Sequence, residues 1–222
     1  PGHHAESDRA MGFCFFNNVA VGGAHLTRIK GIERVLIVDW DGHHGNGTQH
    51  MFYNSRDVLY FSTHQFPFYP GTGALHETGS GEGEGFTVNV PLSEGMGDAE
   101  YIRIFSEILG PVIEQYRPGF ILVSAGFDTF FEDPLGGMRV TPEGFAQQAR
   151  FMLDAADKHS NGKIAFILEG GYNLDGLWIS TKEVLEELLD KKRTDYDIGG
   201  VATAADEVIE KVKKEHSRFW EF

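Results

Sequence analysis

The sequence predicts an α/β fold: a mostly parallel sheet with helices on both faces. Two observations predict it. Short apolar runs rich in β-branched and aromatic residues recur at Val35 to Val38, Val58 to Phe61, Thr87 to Val90, Phe120 to Val123 and Ile164 to Leu168. None alternates cleanly with polar residues, which is how strands buried on both sides read. Between several of them lie longer segments with apolar residues at helical spacing, and strands alternating with helices build parallel sheets.

Taken in order, Val35 to Val38 runs into Asp39, Asp41, His43 and His44, and Val58 to Phe61 runs into Ser62 and His64. After Thr87 to Val90 a helix is predicted from Asp98 to Gln115, where Tyr101, Phe105, Ile108, Leu109 and Val112 share a face. Phe120 to Val123 leads to Asp128. Thr141 and Pro142 make an N-cap and first-turn pair for a helix to Lys158, with Phe145, Ala149, Met152, Leu153 and Ala156 on its inner face. Ile164 to Leu168 is followed by Glu169-Gly170-Gly171-Tyr172, and two further helices are predicted over Gly176 to Lys192 and Ala202 to Ser217. No repeat and no linker marks a second domain. Because ligands of parallel sheets bind outside the carboxyl ends of the strands, four strands deliver polar side chains to one rim.

Composition narrows the function. A chain of 222 residues builds a sizeable core without staples, and its one cysteine, Cys14, excludes a disulfide scaffold and suits a reducing, cytoplasmic setting. No apolar run approaches the roughly 20 residues of a membrane span. With 33 acidic against 19 basic side chains the net charge is -14, which repels phosphate backbones and attracts cations. A direct nucleic-acid partner is therefore not expected, and a cationic substrate is. Most of the 10 histidines lie before residue 77, so the chemistry is front-loaded. The chain opens on Pro1-Gly2-His3-His4 with no Met, signal peptide or preceding strand, and a segment ahead of it is expected.

Asp39-Trp40-Asp41-Gly42-His43-His44-Gly45-Asn46-Gly47 is the most informative segment. If its start stays extended, Asp39, Asp41 and His43 point the same way at period two and form a metal half-site. An isolated D-x-H is ordinarily a polar loop with a capping Asp. Here two acids and two histidines stand between an apolar strand and paired glycines. Asp128 follows a strand too apolar to be exposed and is the candidate third ligand. His3 and His4 would divide proton transfer, and Gly170-Gly171 would let Tyr172 swing to the rim as an oxyanion donor. The stretch Phe13-Cys14-Phe15-Phe16 is read as buried, with Cys14 a small hydrophobe rather than a nucleophile. Gly79 to Gly85 reads as a flexible acidic loop, and Lys191-Lys192-Arg193 as a solvated helix end.

Pro1-Gly2-His3-His4-Ala5, Gly12-Phe13-Cys14, Asp39-x-Asp41-x-His43-His44-Gly45-Asn46-Gly47-Thr48-Gln49, Pro70-Gly71-Thr72-Gly73, Gly126-Phe127-Asp128 and Glu169-Gly170-Gly171-Tyr172-Asn173-Leu174, in this order, resemble the histone deacetylase superfamily. With Asn46 and Phe127, the look is that of class II enzymes or of bacterial acetylpolyamine and deacetylase-like amidohydrolases. The resemblance implies an arginase-like three-layer α/β fold and places residues 1–222 as a single deacetylase domain, the C-terminal portion of the family's catalytic domain, with its N-terminal part missing. It implies Zn²⁺, or Fe²⁺, held by Asp41, His43 and Asp128. His3 and His4 would stand at the catalytic water and Tyr172 at the substrate carbonyl, with Asp39 orienting His3 and Asn46 beside His4. Asp39, with Ser62 and backbone oxygens of Asp41, His43 and Thr63, would match a K⁺ or Na⁺ site, and Gly12, Phe13, Tyr69 and Leu135 the channel for an acyl-lysine-like chain.

The expected reaction is hydrolysis of the acetyl amide of acetyl-lysine or an acetylated polyamine, and a preceding segment or second chain is expected to complete the sheet. Two other readings stand beside it. A manganese ureohydrolase needs a second acid near His43, where this sequence has Gly45. A catalytically silent binding module has no use for the full set of ligands, histidines and Tyr172.

Overall fold

The computed structural model describes residues 1–196 and 203–222. Its centre is a five-stranded, all-parallel sheet in the order β3-β2-β1-β4-β5. The strands are β1 (Val35–Asp39), β2 (Val58–Gln65), β3 (Thr87–Leu92), β4 (Phe120–Ala125) and β5 (Ile164–Leu168). Each starts where its apolar run starts, and all but β5 run further into the residues beyond. Side chains alternate across β1. Leu36 and Val38 join the larger core with Trp40, Phe105 and Phe145, while Val35 and Ile37 join a smaller one with Val19, Ala20 and Phe52. β1 is wholly buried, whereas β5, with a described strand on one side only, is half-exposed.

Two helices were not legible in the sequence. The first is α1 (Asn18–Arg28), which carries the adjacent glycines Gly22 and Gly23; it is capped by Asn17, whose side-chain oxygen accepts from the Ala20 N–H at 3.0 Å. The second, α2 (Asn46–Phe52), begins inside the histidine motif on poor helix formers. Both cover the smaller core.

The other face carries the remaining helices. The predicted helix from Asp98 is α3 (Asp98–Ile104), a π-helical turn (Phe105–Leu109) and α4 (Gly110–Tyr116) in unbroken succession. Pro111 has no N–H to give Glu107, so the ladder shifts register ahead of it. Then α5 (Pro142–His159) starts on the predicted Thr141 cap. Next, α6 (Leu174–Leu188) starts two residues earlier than the spacing suggests, because Asn173 caps it by accepting from the Gly176 N–H at 2.9 Å. It ends short of Lys192, ahead of Asp190, which has a left-handed φ of 52°. Last, α7 (Asp206–His216) packs against β3; the predicted start at Ala202 lies outside the described residues.

Three expectations are corrected. In Phe13-Cys14-Phe15-Phe16 only Cys14 is buried, at 1% exposure, while Phe13, Phe15 and Phe16 are 73%, 81% and 77% exposed. A tight turn closed by hydrogen bonds between Met11 and Cys14 directs the thiol inward and the rings outward. Gly79 to Gly85 is not a loose loop. The Ser80 N–H donates to Tyr53 at 2.8 Å, and the Gly85 carbonyl accepts from the Trp220 indole at 2.9 Å. Lys191 and Arg193 are solvated as expected, but the run lies beyond the end of α6, with Lys192 paired to Glu143 and Glu183 and Arg193 to Asp154.

Candidate active site and metal centre

Strands β1 and β4 are neighbours, yet the chain leaves them toward opposite edges, to β2 and β3 on one side and to β5 on the other. At such a switch the departing loops diverge and leave a crevice. Asp41, two residues past β1, and Asp128, three past β4, meet there with His43. Their ligand atoms lie within 4.8 Å of one another and all three residues are buried. His43 Nδ1 stands 2.8 Å from Asp128 Oδ2 and 3.3 Å from Asp41 Oδ1. Backbone donors aim the carboxylates: the Gly42 N–H donates to Asp128 Oδ1 at 2.7 Å, and the Gly170 N–H donates to Asp41 Oδ2 at 2.8 Å. A Cβ on Gly170 would come within 2.5 Å of Asp128 Oδ2, so only glycine allows this approach.

Asp39 is not part of this cluster. The extended backbone ends at Asp39, the period-two relation lapses, and its carboxylate turns instead to His3 Nδ1 at 2.9 Å.

The cluster's electrostatics call for a cation. Burial, and then the Asp41 charge, push the Asp128 carboxyl up to about 7. Burial opposes ionisation of Asp41 too, but the His3 and His43 charges hold it below the usual carboxylate range. His43 is raised to about 10 against its own burial by hydrogen bonds to Asp128 and Asp41. Among the described residues no lysine or arginine pairs with either carboxylate, and a divalent ion bound here would take the place of the protons that Asp128 and His43 hold. Two carboxylates and an imidazole are a donor set for zinc or ferrous iron.

The tandem histidines stand beside it with rings 4.1 Å apart. Burial disfavours a charge on His3, yet Asp39 and Asp41 raise it well above its ordinary value. His4 is lowered to about 3 by burial and then by the His3 charge. Its Nδ1 pairs with Asn46 Oδ1 at 2.8 Å, which makes Nδ1 the donor and leaves Nε2 as a free acceptor.

His4, His43 and Tyr172 line one cavity of about 680 Å³, whose walls include Gly12, Phe13, Tyr69 and Leu135. Phe68, stacked on His43 with ring centroids 5.1 Å apart, and Glu94 line it too; neither was singled out in the sequence. The Tyr172 hydroxyl is held well above its ordinary value by burial and then by the Asp41 and Asp128 charges, so it remains a proton donor.

Residues 1–188 match the family model described as the histone deacetylase domain. This chain belongs to the histone deacetylase family. It is 41% identical over 239 residues to a probable deacetylase of Archaeoglobus fulgidus, covering 99% of this chain and 65% of that protein. It is 47% identical over 202 residues to histone deacetylase 18 of Arabidopsis thaliana, covering 87% of this chain and 29% of that one. Among solved structures, the crystal structure of the HDA15 HD domain superposes with a TM-score of 0.89 at 42% identity over 99% of this chain and 60% of its own. The chain thus spans less than two thirds of these relatives.

Several residues of this histone deacetylase family member that shape the site escaped the sequence reading. Glu169 Oε2 accepts the backbone N–H groups of Gly2 at 2.5 Å and His3 at 3.0 Å, and Oε1 accepts the Ser124 hydroxyl at 2.9 Å, tying the tandem histidines to the ends of β4 and β5. Tyr60 donates to Asp39 Oδ2 at 3.0 Å. Glu6 accepts the Asn46 amide at 2.5 Å, so a carboxylate stands one residue behind the neutral partner of His4. Glu169 directly follows an apolar run, the same placement in the sequence that marked Asp39; Tyr60 and Glu6 carried no signal. Ser62 is the register partner of Asp39, and its hydroxyl bonds His64 at 2.9 Å, while the Thr63 hydroxyl is buried without a partner. Cys14 is buried, and burial raises its thiol. Among the described residues no helix is long and apolar enough to cross a membrane.

Proposed function

We propose that this protein is a zinc-dependent deacetylase that hydrolyses the acetyl amide of acetyl-lysine or of an acetylated polyamine to acetate and a free amine. The observation that carries the reading is the convergence of three metal-ligating side chains, a neutral His4 and the Tyr172 hydroxyl on one cavity. Asp41, His43 and Asp128 would hold Zn²⁺, with Fe²⁺ also suited to the set. Bound there, the ion supplies a Lewis acid for the amide carbonyl and lowers the pKa of a water toward about 7.

The chain's own residues do the rest. His4 Nε2 accepts the proton of the attacking water as the C–O bond forms and delivers it to the amine nitrogen as the C–N bond breaks. A charge on His3, aligned by Asp39, discourages a second charge on His4, so the proton is passed on. Tyr172 donates to the carbonyl oxygen as negative charge gathers there. Asp39, Ser62 and the backbone oxygens of Asp41, His43 and Thr63 would bind K⁺ or Na⁺ at the ends of β1 and β2. The net charge of -14 favours approach of a cationic substrate.

The test is metal content and acetate release by the full-length protein on an acetyl-lysine peptide and a monoacetylated diamine. About one divalent ion per chain is expected, with activity lost to a chelator, restored by zinc and indifferent to thiol alkylation. Turnover that survives complete chelation would overturn the reading.

A further inference from the structure

Asp133 is 7% exposed and lies off the path of the reaction just described, yet its carboxylate joins two walls of the cavity. Oδ1 accepts the backbone N–H of Leu135 at 2.9 Å. Oδ2 accepts those of Tyr172 at 2.7 Å and Asn173 at 3.1 Å. No lysine or arginine pairs with it among the described residues, so three main-chain donors are what keep this buried charge satisfied. Upstream the loop is anchored at Gly170, whose N–H donates to Asp41 and whose carbonyl accepts the Phe127 N–H at 2.8 Å. Gly170 and Gly171 precede Tyr172, Gly171 has a φ of 135°, and the next anchor is the Asn173 side chain, whose amide donates to Glu132 at 3.0 Å.

We propose that Asp133 is a positioning residue that fixes the Tyr172 hydroxyl and the Leu135 wall relative to each other. A glycine-flanked loop samples many courses, and a donor misplaced by about 1 Å loses much of its effect in the transition state. One carboxylate bonded to both segments removes that freedom from both at once. Asparagine has one acceptor oxygen where aspartate has two, so Asp133→Asn can serve only one of the two walls, and its NH₂ group faces N–H donors on the other. The inference rests on the reading of Tyr172 as the donor to the substrate carbonyl.

The experiment is a double-mutant cycle in the full-length, zinc-loaded protein: wild type, Asp133→Asn, Tyr172→Phe and the pair, each measured for kcat, KM, bound zinc and amide hydrogen exchange. The expected result is a fall in kcat of roughly 10- to 100-fold for Asp133→Asn, with KM changed less than about threefold and zinc retained. In the Tyr172→Phe background the same substitution should cost about twofold or less, because the group it positions is gone. Exchange at the Tyr172 and Asn173 amides should accelerate, while the Gly170 amide, bonded to Asp41, stays protected. Should Asp133→Asn fail to fold, Asp133→Ser supplies a smaller acceptor for the same cycle. Equal costs in both backgrounds, or unchanged turnover in Asp133→Asn while Tyr172→Phe is impaired, overturn the inference alone. Wild-type kcat in Tyr172→Phe overturns the reading of Tyr172 first, and the inference with it.

Discussion

His3-His4 and His43-His44 are the same dipeptide at two places on the rim, and both divide in the same way. The first histidine of each meets carboxylates, Asp39 for His3 and Asp128 with Asp41 for His43; they favour its imidazolium, a proton that a metal bound to His43 would displace. The second meets neutral partners. His4 faces the Asn46 amide; His44 faces the Thr72 hydroxyl at 2.7 Å and the Gln49 amide at 2.9 Å, and burial keeps both rings neutral. The pairs part company in where that neutral ring points. His4 lines the cavity with Nε2 free, whereas His44 turns into the interior against His64, ring centroids 4.7 Å apart, with both its nitrogens engaged. A neutral imidazole with a free nitrogen in a cavity can move protons; one with every nitrogen bonded holds a fold together.

The comparison breaks most severely at the metal-facing pair. Asp128→Ala should remove the bound ion and lower kcat/KM by more than about 10³-fold, checked by metal analysis alongside kinetics. At the other pair, His4→Ala should cost about 10² to 10⁴ in kcat while zinc stays bound, since proton transfer alone is lost. Retention of full turnover would place His4 outside the chemistry.

Asn46→Asp sharpens the contrast by giving His4 the kind of partner His3 has. A carboxylate favours the imidazolium, so the His4 pKa should rise, and His4 must be neutral to accept a proton. The acid limb of the kcat/KM profile should therefore move to higher pH, with a loss of roughly tenfold or less near pH 6. An unmoved limb would show that another group sets it.

The smallest change in turnover is expected for His64→Gln, within about twofold, but it should alter acid stability. In the fold, burial lowers His64 to about 4; unfolded, it returns to about 6.5. As pH falls below 6.5 the unfolded chain takes up a proton that the native state refuses. The stability tied to neutral His64 is thus complete above pH 6.5 and lost progressively toward pH 4, by roughly 3 kcal/mol in all. Urea unfolding midpoints at pH 7.5 and 5 should converge in the variant relative to the wild type.

The five strands were legible because a short apolar run of β-branched and aromatic residues, without alternation, fits a strand covered on both faces and little else. α5 was legible because Thr141-Pro142 announces it. α1 and α2 were hidden by glycines and by a motif that reads as loop, since packing against the smaller core stabilises what local propensity does not. The exposure of Phe13, Phe15 and Phe16 could not be read, because an aromatic run carries no mark of which way its turn faces.

The sequence by itself determined which residues can bind a metal and that strand ends would present them, because ligand chemistry belongs to side chains and the carboxyl-end rule follows from parallel topology. Only the tertiary structure decided who meets whom. Asp41 and Asp128 join, and Asp39 leaves them for His3, because β1 and β4 flank the switch in strand order. Glu169 holds His3 from 166 residues away, and Asp133 holds Tyr172 from 39. The protonation state of each histidine belongs to the same category. It depends on burial and on the nearest carboxylate, and both are properties of the folded neighbourhood.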